Sequence, residues 1–402
     1  MSPKVSIVIP IYNMEPFLRP CLDSVVNQTM RDIQIICVND GSTDGSLQIL
    51  EQYAREDERI LVIDKKNEGQ GIARNVACEH VCGKYTLFVD ADDWIEPELC
   101  HKAYYRAEAD QSEMVFFLRE KNGRVEGPCY FDKLQLIDPD RQERIFLLEN
   151  IKNGPVAKLY RTDFLRSHAI YFTHHRRCED ISVHWLCCLA GKRYTIHPEV
   201  LYHVRVVDVE PGCGKWEKVQ DVVNAYQAIK TELRERGFYK NYREVFLKDY
   251  FKSVHVACKK IIKNEQPLFI HEFLDTLSLE DIAFLREYRF PSSGTRLFYR
   301  EIIDLFVDKK TFSKAVYLNR INRVVRSVVS PFEKFLRKTK MKKKAKRSVV
   351  NGADDHKRQF QGVNDLLCRL SEAIVQHREK DKAGEPSNNC EHFVAEKNRW
   401  AS

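Results

Sequence analysis

The stretch Tyr85–Trp94 reads Tyr-Thr-Leu-Phe-Val-Asp-Ala-Asp-Asp-Trp, a short apolar run that ends in three carboxylates. An apolar run bounded by polar turns predicts a buried strand. Alternation along an extended strand end puts Asp90 and Asp92 on the same side. Two carboxylates in one small space repel each other unless a cation lies between them or one is protonated. Oxygen ligands of this kind suit Mg2+ or Mn2+.

An acidic turn is the alternative interpretation of this stretch. Pro97 follows closely and favours the start of a helix, which Asp92 or Asp93 would then cap. The segments that precede Tyr85 help to decide between the two interpretations. Three further strand-like runs occur there, each followed by residues at helical spacing: Val5–Pro10, Ile33–Val38 and Ile60–Ile63.

Regular alternation of nearly continuous apolar strands with helices predicts an α/β fold, with a parallel sheet covered on both faces. In open sheets of this type, ligands bind beyond the carboxyl ends of the strands. Three polar clusters fall at such ends, and the acidic turn alone does not predict their convergence. A tight turn remains the alternative for the middle cluster. The clusters are Tyr12-Asn13, Asn39-Asp40-Gly41-Ser42 and Asp90-Ala91-Asp92-Asp93.

The composition excludes several classes of protein. At 402 residues, the chain is long enough for a catalytic domain and an accessory region. No apolar run approaches the roughly 18 to 20 residues of a membrane span, and the N-terminus lacks the pattern of a signal peptide, so we expect a cytoplasmic protein. The thirteen cysteines form no paired Cys-x-x-Cys set, which supports neither a zinc ribbon nor a secreted disulfide framework.

The positive charge is concentrated near the C-terminus. The net charge is +7, and Arg337–Arg347 alone carries eight basic residues, so the rest of the chain has 7 − 8 = −1. This local concentration gives no evidence of a nucleic-acid-binding domain. An apolar stripe with basic neighbours, Ile321–Leu336, precedes it. Two interpretations stay open: peripheral docking on an anionic inner membrane surface, or a helix packed on the enzyme and followed by a solvated linker.

Four motifs between Val5 and Asp93 carry a resemblance to a known family. In this order they resemble the family 2 glycosyltransferases, which are inverting enzymes with the GT-A fold. The resemblance implies a Rossmann-like, mainly parallel sheet with helices on both faces, and it weakens towards Val207. The motifs are Val5-Ser6-Ile7-Val8-Ile9-Pro10-Ile11-Tyr12-Asn13, Val38-Asn39-Asp40-Gly41-Ser42-Thr43-Asp44, Asn67-Glu68-Gly69-Gln70-Gly71-Ile72-Ala73-Arg74-Asn75 and Asp90-Ala91-Asp92-Asp93.

The domain organisation follows from this resemblance and from the periodicity of the remaining sequence. We predict a GT-A glycosyltransferase domain at residues 1–212, with a nucleotide-sugar-binding half at 1–110 and an acceptor half at 111–212. Helical periods predict a helical accessory region at 213–336. The polar composition of 337–402 predicts a basic segment and a largely disordered tail.

The resemblance implies roles for residues on the donor side. Pro10 and Tyr12 would line the nucleotide pocket, and Asp40 would accept a hydrogen bond from the uracil N–H with Arg74 paired to it. Two more residues of the third motif, Asn67 and Gly71, belong to the implied nucleotide site. On the fourth motif, Asp90 would lie near the ribose and the sugar, Asp92 would ligate Mn2+ or Mg2+ on the diphosphate, and Asp93 is the alternative ligand.

The acceptor side is less regular. The pair Glu179-Asp180 resembles a family motif at the start of a helix, and we predict Asp180 as the general base, with Glu179 as the second choice. The alternative is that both acidic residues merely favour a helix N-terminus. Lys158 is a candidate substrate contact, although the asparagine that often precedes this lysine in the family is Ala157 here.

Two short strands are predicted next, at Arg193–His197 and Leu201–Val207. The second contains Tyr202-His203-Val204-Arg205, which resembles a Tyr-x-Tyr-Arg stretch of the family. The resemblance implies that His203 and Arg205 contact the diphosphate.

We therefore predict a metal-dependent, inverting glycosyltransferase. It would move a hexosyl or N-acetylhexosaminyl group from a nucleotide-sugar to a hydroxyl of a glycan or lipid-linked acceptor in surface polysaccharide synthesis, and the resemblance implies a UDP-sugar. One alternative is a non-catalytic glycan-binding or scaffold protein. Another is a sugar nucleotidyltransferase, although the glycine-rich loop expected after its first strand is missing. A dinucleotide-binding oxidoreductase would need a third glycine where Arg74 stands.

Overall fold

A single mixed β-sheet forms the centre of the protein in the computed structural model. The structure describes residues 3–126, 136–137, 139–151, 153–175, 178–206, 217–258 and 273–287, all of which fall in the compact unit Met1–Phe306. These residues contain ten strands and ten helices. The predicted α/β class is confirmed.

The first half alternates strands and helices as the periodicity predicts. Its elements are β1 (Val5–Ile11), α1 (Glu15–Val26), β2 (Ile33–Asp40), α2 (Ser46–Glu56), β3 (Ile60–Lys65), α3 (Gln70–Glu79), β4 (Tyr85–Phe88), β5 (Trp94–Ile95) and α4 (Leu99–Asp110).

The second half has longer helices and antiparallel strands. Its elements are β6 (Met114–Lys121), β7 (Arg124–Glu126), β8 (Leu136–Ile137), α5 (Arg141–Asn150), β9 (Lys158–Arg161), α6 (Thr162–Ser167), α7 (Ile181–Ala190), β10 (Arg193–Val204), α8 (Glu217–Glu235), α9 (Tyr239–Cys258) and α10 (Leu279–Glu287).

The strand order is β3-β2-β1-β4-β9-β6-β10-β5, with β7 beside β6 and β8 beside β10. Strands β1 to β4 are parallel, and β9 runs antiparallel between β4 and β6. Every residue of β1 is buried, as expected for a central strand covered on both faces. Helix α1 covers one face through an apolar stripe of Leu18, Cys21, Leu22 and Val25.

The observed strands differ from the predicted ones most clearly at two places. The fourth strand ends at Phe88, because the chain turns after Val89 and the amide of Asp93 donates to the carbonyl of Asp90 at 3.0 Å. The two strands predicted after α7 form one strand, β10, whose register against β6 shifts twice after His197. The shifts lie between His197 and Tyr202, where the two predicted strands were separated.

The helices after residue 216 pack on the second half of the sheet domain. Helix α8 contacts α7 and α9, and α9 contacts α5. Their interface is aromatic, with the rings of Tyr226 and Tyr250 stacked at 4.7 Å. The predicted apolar stripe, basic segment and tail, at 321–402, lie outside the described residues. None of the helices in the described part of the chain has the length and apolar character needed to cross a bilayer.

Candidate active site

Polar loops follow β1 and β2 and are joined to each other. The Asn13 side chain accepts a hydrogen bond from the backbone N–H of Thr43 at 2.8 Å, and the Ser42 hydroxyl accepts one from the backbone N–H of Asn13 at 3.0 Å. Tyr12 leaves 46% of its surface exposed at this edge, whereas Pro10 is buried within β1. Of the two predicted pocket residues, Tyr12 therefore offers the accessible ring.

Asp40 at the end of β2 fixes the loop that enters α3. Its carboxylate accepts hydrogen bonds from the Lys65 ammonium at 2.8 Å and from the backbone N–H groups of Glu68 and Gly69 at 3.0 and 2.8 Å. Only 2% of Asp40 is exposed. The predicted pairing of Asp40 with Arg74 was wrong, because Lys65, on the neighbouring strand, supplies the counter-charge.

Close packing around Gly41 explains the glycine in this turn. Its φ is +70°, and a Cβ atom there would lie 2.7 Å from the backbone nitrogen of Asn67. Asn67 therefore lies directly beside the turn after β2, which brings two of the four motifs together. Gly71 is equally confined, since a Cβ atom there would lie 2.7 Å from the carbonyl oxygen of Thr173.

A buried guanidinium joins the two halves of the domain. Arg74 donates to Asp90 Oδ1 at 2.7 Å and to Glu179 Oε1 at 2.9 Å, and only 2% of its surface is exposed. Its guanidinium carbon lies 5.2 Å from the centre of the Phe172 ring. Burial alone would lower the pKa of Arg74, but the charges of Asp90 and Glu179 outweigh it and raise the pKa.

The three carboxylates after β4 have different environments. Asp93 is 3% exposed, and its two oxygens accept from the Tyr202 hydroxyl at 2.7 Å and the Arg205 backbone N–H at 2.9 Å. Burial and the charge of Asp90 raise the pKa of Asp93 to about 7. The same two causes raise the pKa of Asp92, which stays partly exposed.

The carboxylate oxygens of this loop fit a hard divalent cation that takes its remaining ligands from the substrate. A nearby cation would stabilise the charged form of Asp92, and carboxylate oxygens are the ligands that Mg2+ and Mn2+ prefer. Among the described residues, no three or more His, Cys, Asp or Glu side chains are grouped so that they could hold a metal by themselves. Mg2+ commonly uses one or two carboxylates and takes its other ligands from phosphates and water.

The acceptor side presents Asp180 at the start of α7. Its side chain makes no capping hydrogen bond, although a negative charge at this position still favours the N-terminus of the helix. Burial raises the pKa of Asp180, although the charge of Arg74 opposes the rise. Burial also raises the pKa of the neighbouring Glu179, whose carboxylate is bound to Arg74.

Lys158 lies beneath this surface. It is buried, its ammonium donates to the carbonyl oxygen of Gly154, and burial lowers its pKa to about 8. The side chain is enclosed in the protein in this conformation, and a contact between Lys158 and substrate stays a prediction. Ala157, just before it, has a left-handed φ of +57°, a conformation that asparagine adopts more readily than alanine.

The residues after Tyr202 brace the loop of carboxylates from the outside. Arg205 donates from Nε to the carbonyl oxygen of Asp92 at 2.8 Å and lies 5.0 Å over the Trp94 ring. His203 stacks on Trp94 at 5.2 Å and shares a 2.6 Å hydrogen bond with Glu96. His203 and Arg205, the two predicted diphosphate contacts, therefore bind other residues of the protein in this structure.

Sequence reasoning missed two residues of this site. Lys65, which neutralises Asp40, lies beyond the predicted end of the third strand. Tyr202, whose hydroxyl accepts from the Asp90 backbone N–H at 3.1 Å and donates to Asp93, was noted only as part of a motif. The signal for Tyr202 was a tyrosine within a predicted strand, since a buried hydroxyl needs a partner.

The chain is similar to known glycosyltransferases. Residues 6–168 match the family model described as glycosyl transferase family 2. The chain is 35% identical over 176 residues to the putative glycosyltransferase EpsH of Bacillus subtilis, covering 42% of this chain and 51% of that protein. It is 34% identical over 248 residues to the poly(ribitol-phosphate) beta-glucosyltransferase of Bacillus spizizenii, covering 57% of this chain and 38% of that protein. The chain thus spans about half, or less, of the length of these curated relatives.

A solved structure shows the same fold. The crystal structure of S. aureus TarS 1-349 in complex with UDP superposes with a TM-score of 0.59 at 23% identity, covering 81% of this chain and 90% of that one. At this level of identity, the likeness establishes the fold alone. Residues 6–168 are thus similar to glycosyltransferase family 2, and the chain has the GT-A fold.

Proposed function

We propose that this chain is a metal-dependent, inverting glycosyltransferase that transfers a hexosyl or N-acetylhexosaminyl group from a UDP-sugar to a hydroxyl of a glycan or lipid-linked acceptor. The observation that carries the proposal is the Arg74 bridge between Asp90, on the donor side, and Glu179, the residue before Asp180. The names of similar proteins support it: one is a poly(ribitol-phosphate) beta-glucosyltransferase, and TarS structures contain UDP or UDP-GlcNAc. These names favour a role in surface polysaccharide synthesis.

The donor would bind across the loops that follow β1, β2 and β4. The exposed ring of Tyr12 offers a stacking surface for the base, as aromatic side chains do for nucleotides. Asp40 would serve the site mainly by holding the backbone of Glu68 and Gly69 at the start of α3. The N-terminus of a helix favours negative charge, which suits a diphosphate.

A divalent cation would be held by Asp92 together with the diphosphate. When bound, Mn2+ or Mg2+ neutralises the charge that develops on the departing nucleoside diphosphate. Asp93 would act differently from Asp92, because its oxygens already face Tyr202 and the backbone of Arg205. We assign Asp93 to the support of the loop.

The transfer itself needs one base on the acceptor side. As the acceptor oxygen attacks the anomeric carbon, Asp180 takes the hydroxyl proton. The bond from the anomeric carbon to the diphosphate oxygen breaks, and its electron pair leaves with UDP. A raised pKa brings Asp180 closer to the working pH and makes it a stronger base. Glu179 is committed to Arg74, which favours Asp180 over Glu179 for this role.

Release of UDP from UDP-glucose, UDP-galactose and UDP-GlcNAc, with Mn2+ or with chelator, tests the proposal. Asp180→Asn should lower kcat by about 10²- to 10⁴-fold, the usual contribution of a general base, and leave UDP binding unchanged. Asp163→Asn is the matched control, because Asp163 is an exposed aspartate of the same half. A wild-type protein that releases UDP from none of the donors and is not stabilised by UDP with Mn2+ would refute the assignment.

A further inference from the structure

One carboxylate of the C-terminal helices collects hydrogen bonds from three separate segments. Asp249 on α9 accepts at Oδ2 from the Tyr226 hydroxyl at 2.8 Å, the Trp185 indole N–H at 3.3 Å and the Asn153 amide at 3.4 Å. Hydrogen bonds to an ionised carboxylate are stronger than those between neutral groups. Loss of this acceptor would leave the buried indole of Trp185 without its partner.

Two of these donors flank the predicted base. Trp185 lies on α7, which begins directly after Asp180, and its ring packs edge-on against Phe246 of α9 at 5.7 Å. Asn153 immediately precedes Gly154, where a Cβ atom would lie 3.5 Å from Asp180 Oδ2. Asp249 therefore holds both segments that border the Asp180 carboxylate.

We propose that Asp249 is a positioning residue for proton transfer by Asp180. Helix α9, which carries Asp249, would then contribute to catalysis on the acceptor side. The proposal rests on the proposed function, since it assigns Asp249 a role through Asp180. Misplacement of a reacting group by about 1 Å can cost about 10²-fold in rate. Asp249 reaches the base only through the segments it holds.

The same helical region offers a matched control. Asp281 accepts hydrogen bonds from Lys230, the Tyr239 hydroxyl and the Ser278 backbone N–H, and it is fully buried. These partners all lie on α8, α9 or the residue before α10. Loss of Asp281 should destabilise the helices without disturbing the segments beside Asp180.

The experiment compares Asp249→Leu and Asp249→Asn with Asp281→Leu and Asp281→Asn in the full chain. With UDP-GlcNAc and Mn2+, we expect Asp249→Leu to lower kcat by about 100-fold and Asp249→Asn by about 10-fold, because the amide oxygen still accepts. The KM for the donor should stay within about twofold, since the donor loops are untouched. The acidic limb of the pH profile should move in the Asp249 variants alone.

Hydrogen exchange gives a readout that does not depend on activity. Backbone amides at 153–158 and 180–190 should exchange faster in Asp249→Asn than in wild type and should keep the wild-type rate in Asp281→Asn. If Asp249→Leu fails to fold, Asp249→Asn decides the question. Combination with Trp185→Phe should be less than additive, because both changes remove the same contact.

Three results would overturn the positioning role: a folded Asp249→Asn variant with wild-type kcat, an equal loss of kcat in Asp281→Asn, or unchanged exchange at 180–190. Failure of the proposed function looks different. In that case the wild type releases no UDP from any donor, while the exchange comparison still shows whether Asp249 holds the two segments.

Discussion

Replacing Arg74 with methionine tests the charge cluster that joins the two halves of the domain. The change leaves Glu179 buried without its 2.9 Å partner, whereas Asp90, with 29% of its side chain exposed, can regain water. Removing one partner of a buried ion pair costs about 3–5 kcal/mol, and most of that cost should come from Glu179. Chemical denaturation of wild type and variant measures this loss in the free energy of unfolding.

The loss should depend on pH in a defined direction. Without Arg74, burial and the charge of Asp180 raise the pKa of Glu179 further above its ordinary value of 4.5. A carboxyl whose pKa is raised in the folded state keeps its proton there, so stability falls as the pH rises through the interval between the unfolded and folded pKa values. The deficit of Arg74→Met should therefore be smaller at about pH 5 than at about pH 8.

A second variant provides the control. Arg74→Met combined with Glu179→Gln removes the uncompensated charge and should recover much of the lost stability at about pH 8. Two results would contradict the view that Arg74 stabilises Glu179. One is a double variant that regains no stability, and the other is a free energy of unfolding of Arg74→Met within about 1 kcal/mol of the wild-type value.

Three further changes have expected outcomes. Asp92→Asn should remove the Mn2+-dependent part of the stabilisation by UDP, which at about a hundred times the dissociation constant is about 2.7 kcal/mol; equal shifts with Mn2+ and with chelator are expected. Gly41→Ala should cost about 1–3 kcal/mol more than Gly123→Ala, because both glycines have a left-handed φ but only the methyl at 41 would meet Asn67. Ala157→Gly should stabilise the protein by up to about 1 kcal/mol by relieving its left-handed backbone, as measured by thermal unfolding.

The first half of the fold was predictable because its strands are buried on both faces. Apolar runs marked the starts of β1, β2 and β3 without error, and each strand ends one or two residues later than predicted. The extensions of β2 and β3 are polar residues that pair with each other, such as Asn39 beside Asp64, whose side chains are 2.7 Å apart. Such pairs depend on the neighbouring strand, so a pattern within one strand does not show them.

The partner of Arg74 could not be read from the sequence for a related reason. The predicted partner was Asp40, whereas Arg74 binds Asp90 and Glu179, and Glu179 lies 105 residues further along the chain. Periodicity places Arg74 on a helix but does not fix the direction of its side chain in three dimensions. The hydrogen bond between Asp249 and Trp185 could not be predicted for the same reason, although the helical character of both segments could.

The pairing of β5 with β10 has a consequence for folding during translation. Trp94 and Ile95 pair with His203 and Tyr202, which a ribosome adds only when roughly half of the chain has been made. Until then, Asp93 lacks the hydroxyl and the amide that turn it inward. The residues of the parallel strands are made early during translation, whereas the loop that carries Asp92 and Asp93 gains these contacts only from residues made later. A nascent chain shorter than this lacks the contacts that hold that loop.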